Sequence, residues 1–194
     1  MDAPETTLTD EQIVQAVQAG DREMFGVLME RYDAKLARYG GRFLSRKETI
    51  EDIVQDAFIS AFQNINSFDP SFRFSSWIYR IAHNAFVNGL KKQQKSPILS
   101  IDFDLLVSHH AYEDPLLKEK EWEDMKAMIE LGLNELKPKY REVVILQYLE
   151  GFSYREISDI LEIPIGTVGI RVMRGKELLR KAYEKLNMKL DHEQ

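Results

Sequence analysis

The chain is 194 residues long, 44% hydrophobic and 30% charged, which is enough for one ordinary domain or two small ones. It has no cysteine, so disulfide scaffolding, thiol catalysis and cysteine-held zinc or iron-sulfur centres are excluded. A net charge of −6 argues against a nucleic-acid binder as an average, yet the charge is segregated: residues 1–92 carry 11 basic and 13 acidic groups, residues 93–125 carry 3 and 8, and residues 126–194 carry 12 and 11.

The N-terminus, Met1-Asp2-Ala3-Pro4-Glu5, lacks a basic start, and the apolar runs of the chain are only a few residues long. Neither a signal peptide nor a membrane span is expected, and the expected location is the cytoplasm. Thr9-Asp10-Glu11-Gln12 reads as a capping box that opens a short helix with Ile13, Val14 and Val17 on one face and Gly20 as its stop. From Asp21, Phe25, Leu28, Met29, Tyr32, Leu36 and Tyr39 recur at three- and four-residue steps until Gly40-Gly41. A third helix over residues 47–62 buries Ile50, Ile53, Val54, Ala57, Phe58, Ala61 and Phe62. Its other side carries Glu48, Glu51, Asp52, Gln55 and Asp56 at i, i+3, i+4, i+7 and i+8, which is one stripe. Residues 64–73 read as a loop of turn formers with two aromatics, and a fourth helix starts near Ser75 with Trp77, Ile78, Ile81, Ala82 and Phe86.

Residues 93–121 show no sustained period and read as a flexible acidic linker, so two small all-α domains are expected, over residues 1–92 and 122–194. In the second, Met125, Met128, Ile129, Leu133 and Leu136 form one helical face before Pro138, and Val143, Val144, Leu146 and Tyr148 form the next before Gly151. Ser153-Tyr154-Arg155-Glu156 is another capping box, opening a short helix with Ile157, Ile160 and Leu161. Glu162-Ile163-Pro164 turns the chain into a last helix with Val168, Val172, Gly175, Leu179, Ala182 and Leu186 on its packing face. Residues 162–190 of that segment hold seven basic groups against three acidic ones, so two short helices joined by a tight turn, the second basic, read as a helix-turn-helix.

These stretches resemble the extracytoplasmic function (ECF, group 4) sigma factors of the sigma-70 family. For sigma domain 2 the resemblance is carried by Glu51-Asp52-Ile53-Val54-Gln55-Asp56-Ala57-Phe58, Asn66-Ser67-Phe68-Asp69 and residues 74–84. For sigma domain 4 it is carried by residues 133–143, Gly151-Phe152-Ser153-Tyr154-Arg155-Glu156-Ile157 and Ile163-Pro164-Ile165-Gly166-Thr167-Val168. The resemblance implies that domain 2 docks on core RNA polymerase and reads and melts the −10 element, and that domain 4 reads the −35 element. By charge alone the acidic stripe is a solvated face; the resemblance makes Glu48, Glu51, Asp52, Gln55 and Asp56 the surface that meets the clamp coiled coil of the largest polymerase subunit. It also implies contacts of domain 4 with the flap of the second-largest subunit, and an anti-sigma factor as a further partner.

By the same resemblance, Phe68, Phe72 and Phe74 with Asn84 and Asn88 capture a flipped −10 base. Trp77 and Tyr79 wedge or support the melted strand, and Arg73, Arg80, Lys91 and Lys92 reach phosphates. From the residues alone, the rings of Phe68, Phe72, Phe74 and Trp77 could all be core, a reading as good as the other for Trp77, although an exposed loop cannot bury every ring. In the last helix Ile170, Arg174 and Lys181 point away from the packing face and Arg171 flanks them. Backbone N-H groups near Thr167 are available to a phosphate. Gly169-Ile170 departs from the basic or polar residue followed by serine of many relatives, which leaves the −35 sequence open and suits Ile170 to a thymine methyl.

His83 reads as packing or a hydrogen-bonding group and His109-His110 as a solvated loop; no metal, cofactor or catalytic constellation is expected, so the chain does not read as an enzyme. Two other readings stand beside the sigma factor: a sigma-like mimic that sequesters an anti-sigma factor, and a stand-alone helix-turn-helix regulator. The mimic has no use for exposed aromatic and basic residues in the 68–74 loop, and the regulator has no use for the acidic stripe.

Overall fold

The computed structural model describes residues 8–93, 129 and 132–192, which form helices and connecting turns with no strand among them. The chain divides into two compact units, one within residues 1–108 and one within 109–194. The acidic linker after Gln93, His109-His110, and the expected packing residues Met125 and Met128 lie outside the described residues, as do the side chains of Lys91, Lys92 and Leu186.

In the first unit α1 (Asp10–Gln18) is opened by the expected capping box: Thr9 Oγ1 accepts from the Gln12 N-H at 3.2 Å, and Gln12 Oε1 accepts from the Thr9 N-H at 2.9 Å. Its apolar face, Ile13, Val14 and Val17, is buried. Its first turn is tied to α2 (Phe25–Gly40) because Asp10 takes an ion pair from Arg31 at 2.6 Å and a hydrogen bond from the Tyr32 hydroxyl. The segment after Asp21 is a tight 3-10 turn, Arg22–Met24, rather than the first turn of a long helix. Gly40 is not merely a stop. It is the last helical residue, and a Cβ there would sit 2.4 Å from the buried Phe86 ring, so only glycine allows that approach.

Helix α3 (Lys47–Asn64) runs two residues past the expected end into a 3-10 turn, Ile65–Ser67, whose Ile65 plugs the core. Helix α4 (Phe74–Gln93) completes the unit. Tyr39, Phe43, Tyr79, His83 and Phe86 form one ring cluster, with Tyr39 Oη 2.8 Å from His83 Nδ1. Burial favours the neutral imidazole and pushes the His83 pKa down from 6.5 to about 4. Between those values the unfolded chain binds a proton that the folded chain excludes. Stability therefore falls as pH drops from 6.5 towards 4, by up to about 3 kcal/mol. Urea midpoints measured from pH 7 to pH 4 should fall more steeply for the wild type than for His83→Gln, which keeps a polar partner for Tyr39 but does not titrate; equal slopes would exclude His83 as the cause.

In the second unit α5 (Pro138–Val144) has proline in its first turn and ends in a wider, π-type turn, Ile145–Leu149. It packs on α7 (Ile165–His192), where Gly175 leaves room: a Cβ there would lie 2.6 Å from Val144. Helix α6 (Tyr154–Leu161) begins with the second expected capping box, Ser153 N-H to Glu156 at 2.8 Å and Glu156 N-H to Ser153 Oγ at 3.3 Å. It ends at Glu162, which takes the left-handed conformation at φ 53°. Ser158 Oγ donates to the Ile163 carbonyl at 2.6 Å and ties the turn back onto α6. Ile157 and Ile160 of α6 and Val168 and Val172 of α7 are buried where the two helices pack, and Leu179 is buried further along α7, close to Gly132.

Candidate nucleic-acid interface

Glu48, Glu51, Asp52, Gln55 and Asp56 are all exposed, while Ile50, Val54, Ala57, Phe58 and Ala61 on the other side of α3 are buried. The stripe is therefore a surface whose charge, among the described residues, enters one ion pair, the exposed i,i+4 pair of Lys47 with Glu51 at 3.5 Å. Asp56 lines an open groove between α3 and α4 with Arg46, Thr49, Ile53, Ala85, Asn88 and Gly89, so the acidic stripe and one of the expected base-reading amides border the same depression.

On α4, residues 77, 80, 84 and 88 fall within about 80° at 100° per residue. Trp77 and Arg80 are half-buried and Asn84 and Asn88 exposed. The core-facing residues Ile78, Tyr79, Ala82, His83 and Phe86 lie on the other side. Tyr79 is thus corrected. It sits 200° around the helix from Trp77, is 2% exposed, and packs 5.2 Å from the Tyr39 ring, so it offers no surface to wedge a strand and only the supporting half of the expectation is left to it.

Phe68 and Phe74 are corrected in the same way, at 6% and 0% exposed. Their rings lie 6.0 Å apart and each contacts Trp77, at 5.0 and 5.8 Å, because an apolar ring gains more from an inner cluster than from water. Phe72 is the ring that remains outside, 60% exposed, with exposed Arg73 beside it. The turn that presents it is fixed locally: the Ser71 N-H donates to Asp69 Oδ1 at 2.9 Å and the Phe72 N-H to the Asp69 carbonyl at 3.0 Å. The first of these bonds, with one from the Ser71 side chain, holds the Asp69 carboxyl below its usual range.

On α7, Ile170 is 51% exposed and Arg174 and Lys181 are exposed, while Thr167, Gly169 and Arg171 are half-buried. The Thr167 N-H is already bonded to the Pro164 carbonyl at 2.8 Å, so the amides left for a phosphate are those of Ile165 and Gly166. Burial raises the carboxyl of Glu142 on α5 above its usual range, an effect that the charges of Arg171 and Arg141 offset only in part. Arg174 and, with a smaller effect, Lys139 hold the Tyr140 phenol below its usual range. Lys181 pairs with Glu177 one turn back, at 2.8 Å. A Cβ at Gly169 would meet the Tyr154 ring of α6 at 3.7 Å, an ordinary contact.

Two groups on this face escaped the sequence reading. Met173, 64% exposed, lies three residues after Ile170, and the same 100° spacing that picked out Ile170 would have found it. Lys139 comes from α5, its ammonium 5.1 Å from the centre of the Tyr140 ring that Arg174 also influences, and nothing in its sequence context marks it for that place.

Two family models match the chain: Sigma-70 region 2 over residues 28–96 and Sigma-70, region 4 over residues 126–179. The ECF RNA polymerase sigma factor SigW of Bacillus subtilis is 35% identical over 178 residues, covering 87% of this chain and 93% of that protein. The chain belongs to the ECF sigma factors. The ECF RNA polymerase sigma-E factor of Haemophilus influenzae is 33% identical over 185 residues, covering 92% of this sigma factor and 97% of that one. Two solved structures share its fold. CnrH in complex with the cytosolic domain of CnrY has a TM-score of 0.66 at 22% identity, covering 91% of this chain and 97% of that one. The sigma factor RpoE in complex with the anti-sigma factor NepR, from Bartonella quintana, has a TM-score of 0.59 at 24% identity, covering 82% and 96%.

This ECF sigma factor is an RNA polymerase transcription-initiation factor, and it directs the polymerase to promoters. The acidic stripe, the 68–74 loop and the outer face of α4 all lie within the region 2 match, and α6 with α7 as far as Leu179 lies within the region 4 match, which ends before Lys181. No helix among the described residues is long and apolar enough to cross a membrane.

Proposed function

We propose that this sigma factor divides promoter recognition between three surfaces. The acidic stripe on α3 meets the clamp coiled coil of the polymerase's largest subunit. Phe72, Trp77, Asn84 and Asn88 read the melted −10 strand, with Arg73, Arg80, Lys91 and Lys92 at its phosphates. Ile170, Arg174 and Lys181 of α7, flanked by Thr167, Gly169 and Arg171, meet the −35 duplex, while the region 4 unit docks on the flap of the second-largest subunit. Phe68, Phe74 and Tyr79 act from inside, as the packing beneath the reading surface.

The observation that carries this is the segregation of side chains on α3 and α4. The exposed acids occupy one surface, and stacking, amide and cationic groups occupy the outer stripe of the next helix. Acids repel phosphates and suit a basic protein surface, whereas rings and amides suit unpaired bases. The chemistry of RNA synthesis stays with the polymerase, so this chain acts as a specificity factor rather than an enzyme, and the cytoplasm is its place of work. An anti-sigma factor is a further proposed partner, since CnrH and RpoE, which share the fold, were solved with protein partners.

Transcription by core polymerase with this chain, on a library randomised at both promoter elements, tests the reading. A defined −10 and −35 pair at fixed spacing is expected to emerge. Phe72→Ala should redistribute the −10 preference and leave the −35 preference in place, because a base received by that ring is read there alone. Transcripts without sequence preference would overturn the reading.

A further inference from the structure

The loop that presents Phe72 is held at both ends by one helix that the sequence gives no reason to connect with it. Gln18, the last residue of α1, turns its side-chain amide onto the loop's entry: Nε2 donates to the Ile65 carbonyl at 2.7 Å and to the Phe68 carbonyl at 2.8 Å, across 47 and 50 residues. Glu11, in the first turn of α1, takes the exit: Oε1 accepts from the Phe74 N-H at 3.1 Å, across 63 residues. Phe74 is the first residue of α4, so a carboxylate from another helix serves an amide that the start of α4 leaves without an internal partner.

We propose that α1 is a positioning element for −10 recognition, with Gln18 and Glu11 setting the two ends of the reading loop; this rests on the assignment of the loop and Phe72 as −10 reader. The helix is suited to the task because it is itself fixed. Ile13, Val14 and Val17 are 1%, 0% and 5% exposed, and Asp10 is held by Arg31 and Tyr32. Between the two tied ends, Phe68, Phe74 and Trp77 fill the inside of the loop and the Asp69 turn fixes its tip. Phe72 is therefore carried on a frame whose entry and exit are both referred to α1. A reading group has to be held to about half an ångström to discriminate bases, and the residues that do so are those that lock its support. The region 2 match begins at residue 28, after α1, so these two residues lie outside that match.

The chemistry of each bond dictates the test. Gln18→Glu keeps the shape of the side chain but removes both donated bonds and sets a carboxylate against two carbonyls. Glu11→Gln keeps an acceptor for the Phe74 amide, and Glu11→Ala removes it. With full-length protein and core polymerase, open-complex formation is compared on the parent promoter and on promoters with single −10 replacements. Gln18→Glu and Glu11→Ala should each lose about tenfold in preference for the parent −10 base, the equivalent of one hydrogen bond, while core-polymerase affinity and −35 preference stay at wild-type values. Glu11→Gln should restore the preference. Ile13→Val, which trims the buried face of α1 and leaves both ties to the loop in place, should lower the melting temperature and leave the preference intact. If Ile13→Val relaxes the preference as far as the others, or if Glu11→Ala reads promoters like wild type, the proposal is wrong and α1 only packs. Should Gln18→Glu not fold, the Glu11 pair decides. Phe72→Ala keeps the two claims apart: if it leaves −10 preference unchanged, the loop is not the reader; if it changes the preference and the α1 variants do not, the loop reads without help from α1.

Discussion

Asp52→Arg combined with Asp56→Arg is expected to weaken binding to core RNA polymerase by about 100-fold or more, because in the proposed docking two carboxylates that would face a basic surface become cations, and like charges at an interface cost several kcal/mol. The folded state should hardly notice. Both residues are exposed and lie a turn apart on the side of α3 opposite Val54, Ala57 and Phe58, and exposed substitutions of this kind stay within about 0.5 kcal/mol. Thermal melting and polymerase affinity measured on the same preparation separate the two effects. Since Asp56 shares a groove with Asn88, affinity is measured without promoter DNA, so that a change in strand contacts does not enter. The doubly neutral variant, Asp52→Asn with Asp56→Asn, should fall between, and its deficit should shrink at high salt as screening removes the attraction that the wild type enjoys. Wild-type affinity in the reversed variant would remove the acidic stripe from the polymerase interface.

What the sequence made legible follows from the range over which each signal acts. Both capping boxes, at Thr9 and Ser153, are four-residue patterns whose hydrogen bonds stay inside the pattern, and both form as read. The helix-turn-helix is legible because its periods, the Glu162-Ile163-Pro164 turn and its basic stretch are contiguous. Failures came where the deciding partner is distant. Gln18 and Glu11 find theirs 47 to 63 residues away, and neither carries a periodic or compositional mark of that role. Phe68 and Phe74 turn inward to complete a ring cluster with Trp77 that exists only once α4 has docked. Tyr79 is the instructive case, because neighbours in sequence were assigned one role although a helix sends residues two apart to nearly opposite sides. The spacing to place it was present; the loop's aromatic richness outweighed it.

On α7 the structure changes which single substitutions should matter. Arg174 is exposed and lies close enough to Tyr140 to hold its phenol below the usual range. If it meets a guanine edge, Arg174→Ala should cost about 1–3 kcal/mol on the parent −35 sequence and flatten the preference at one or two base pairs. Lys181 is different, since Glu177 holds it at 2.8 Å and must be displaced before a phosphate takes its place. Lys181→Ala should weaken all sequences alike and shallow the salt slope by about one unit, and Glu177→Ala should act in the opposite direction, tightening binding without sequence preference as it frees Lys181 and removes an acid from the DNA-facing side. Ile170 and Met173, 51% and 64% exposed on that side, offer apolar contacts that release no counterions. Ile170→Ser should therefore change which base is preferred and leave the salt slope where it was. Holoenzyme binding to promoters varied at the −35 element, followed across a salt series, distinguishes the three classes; a wild-type profile for Arg174→Ala together with unchanged binding for Glu177→Ala would mean that α7 does not enter the groove with this face.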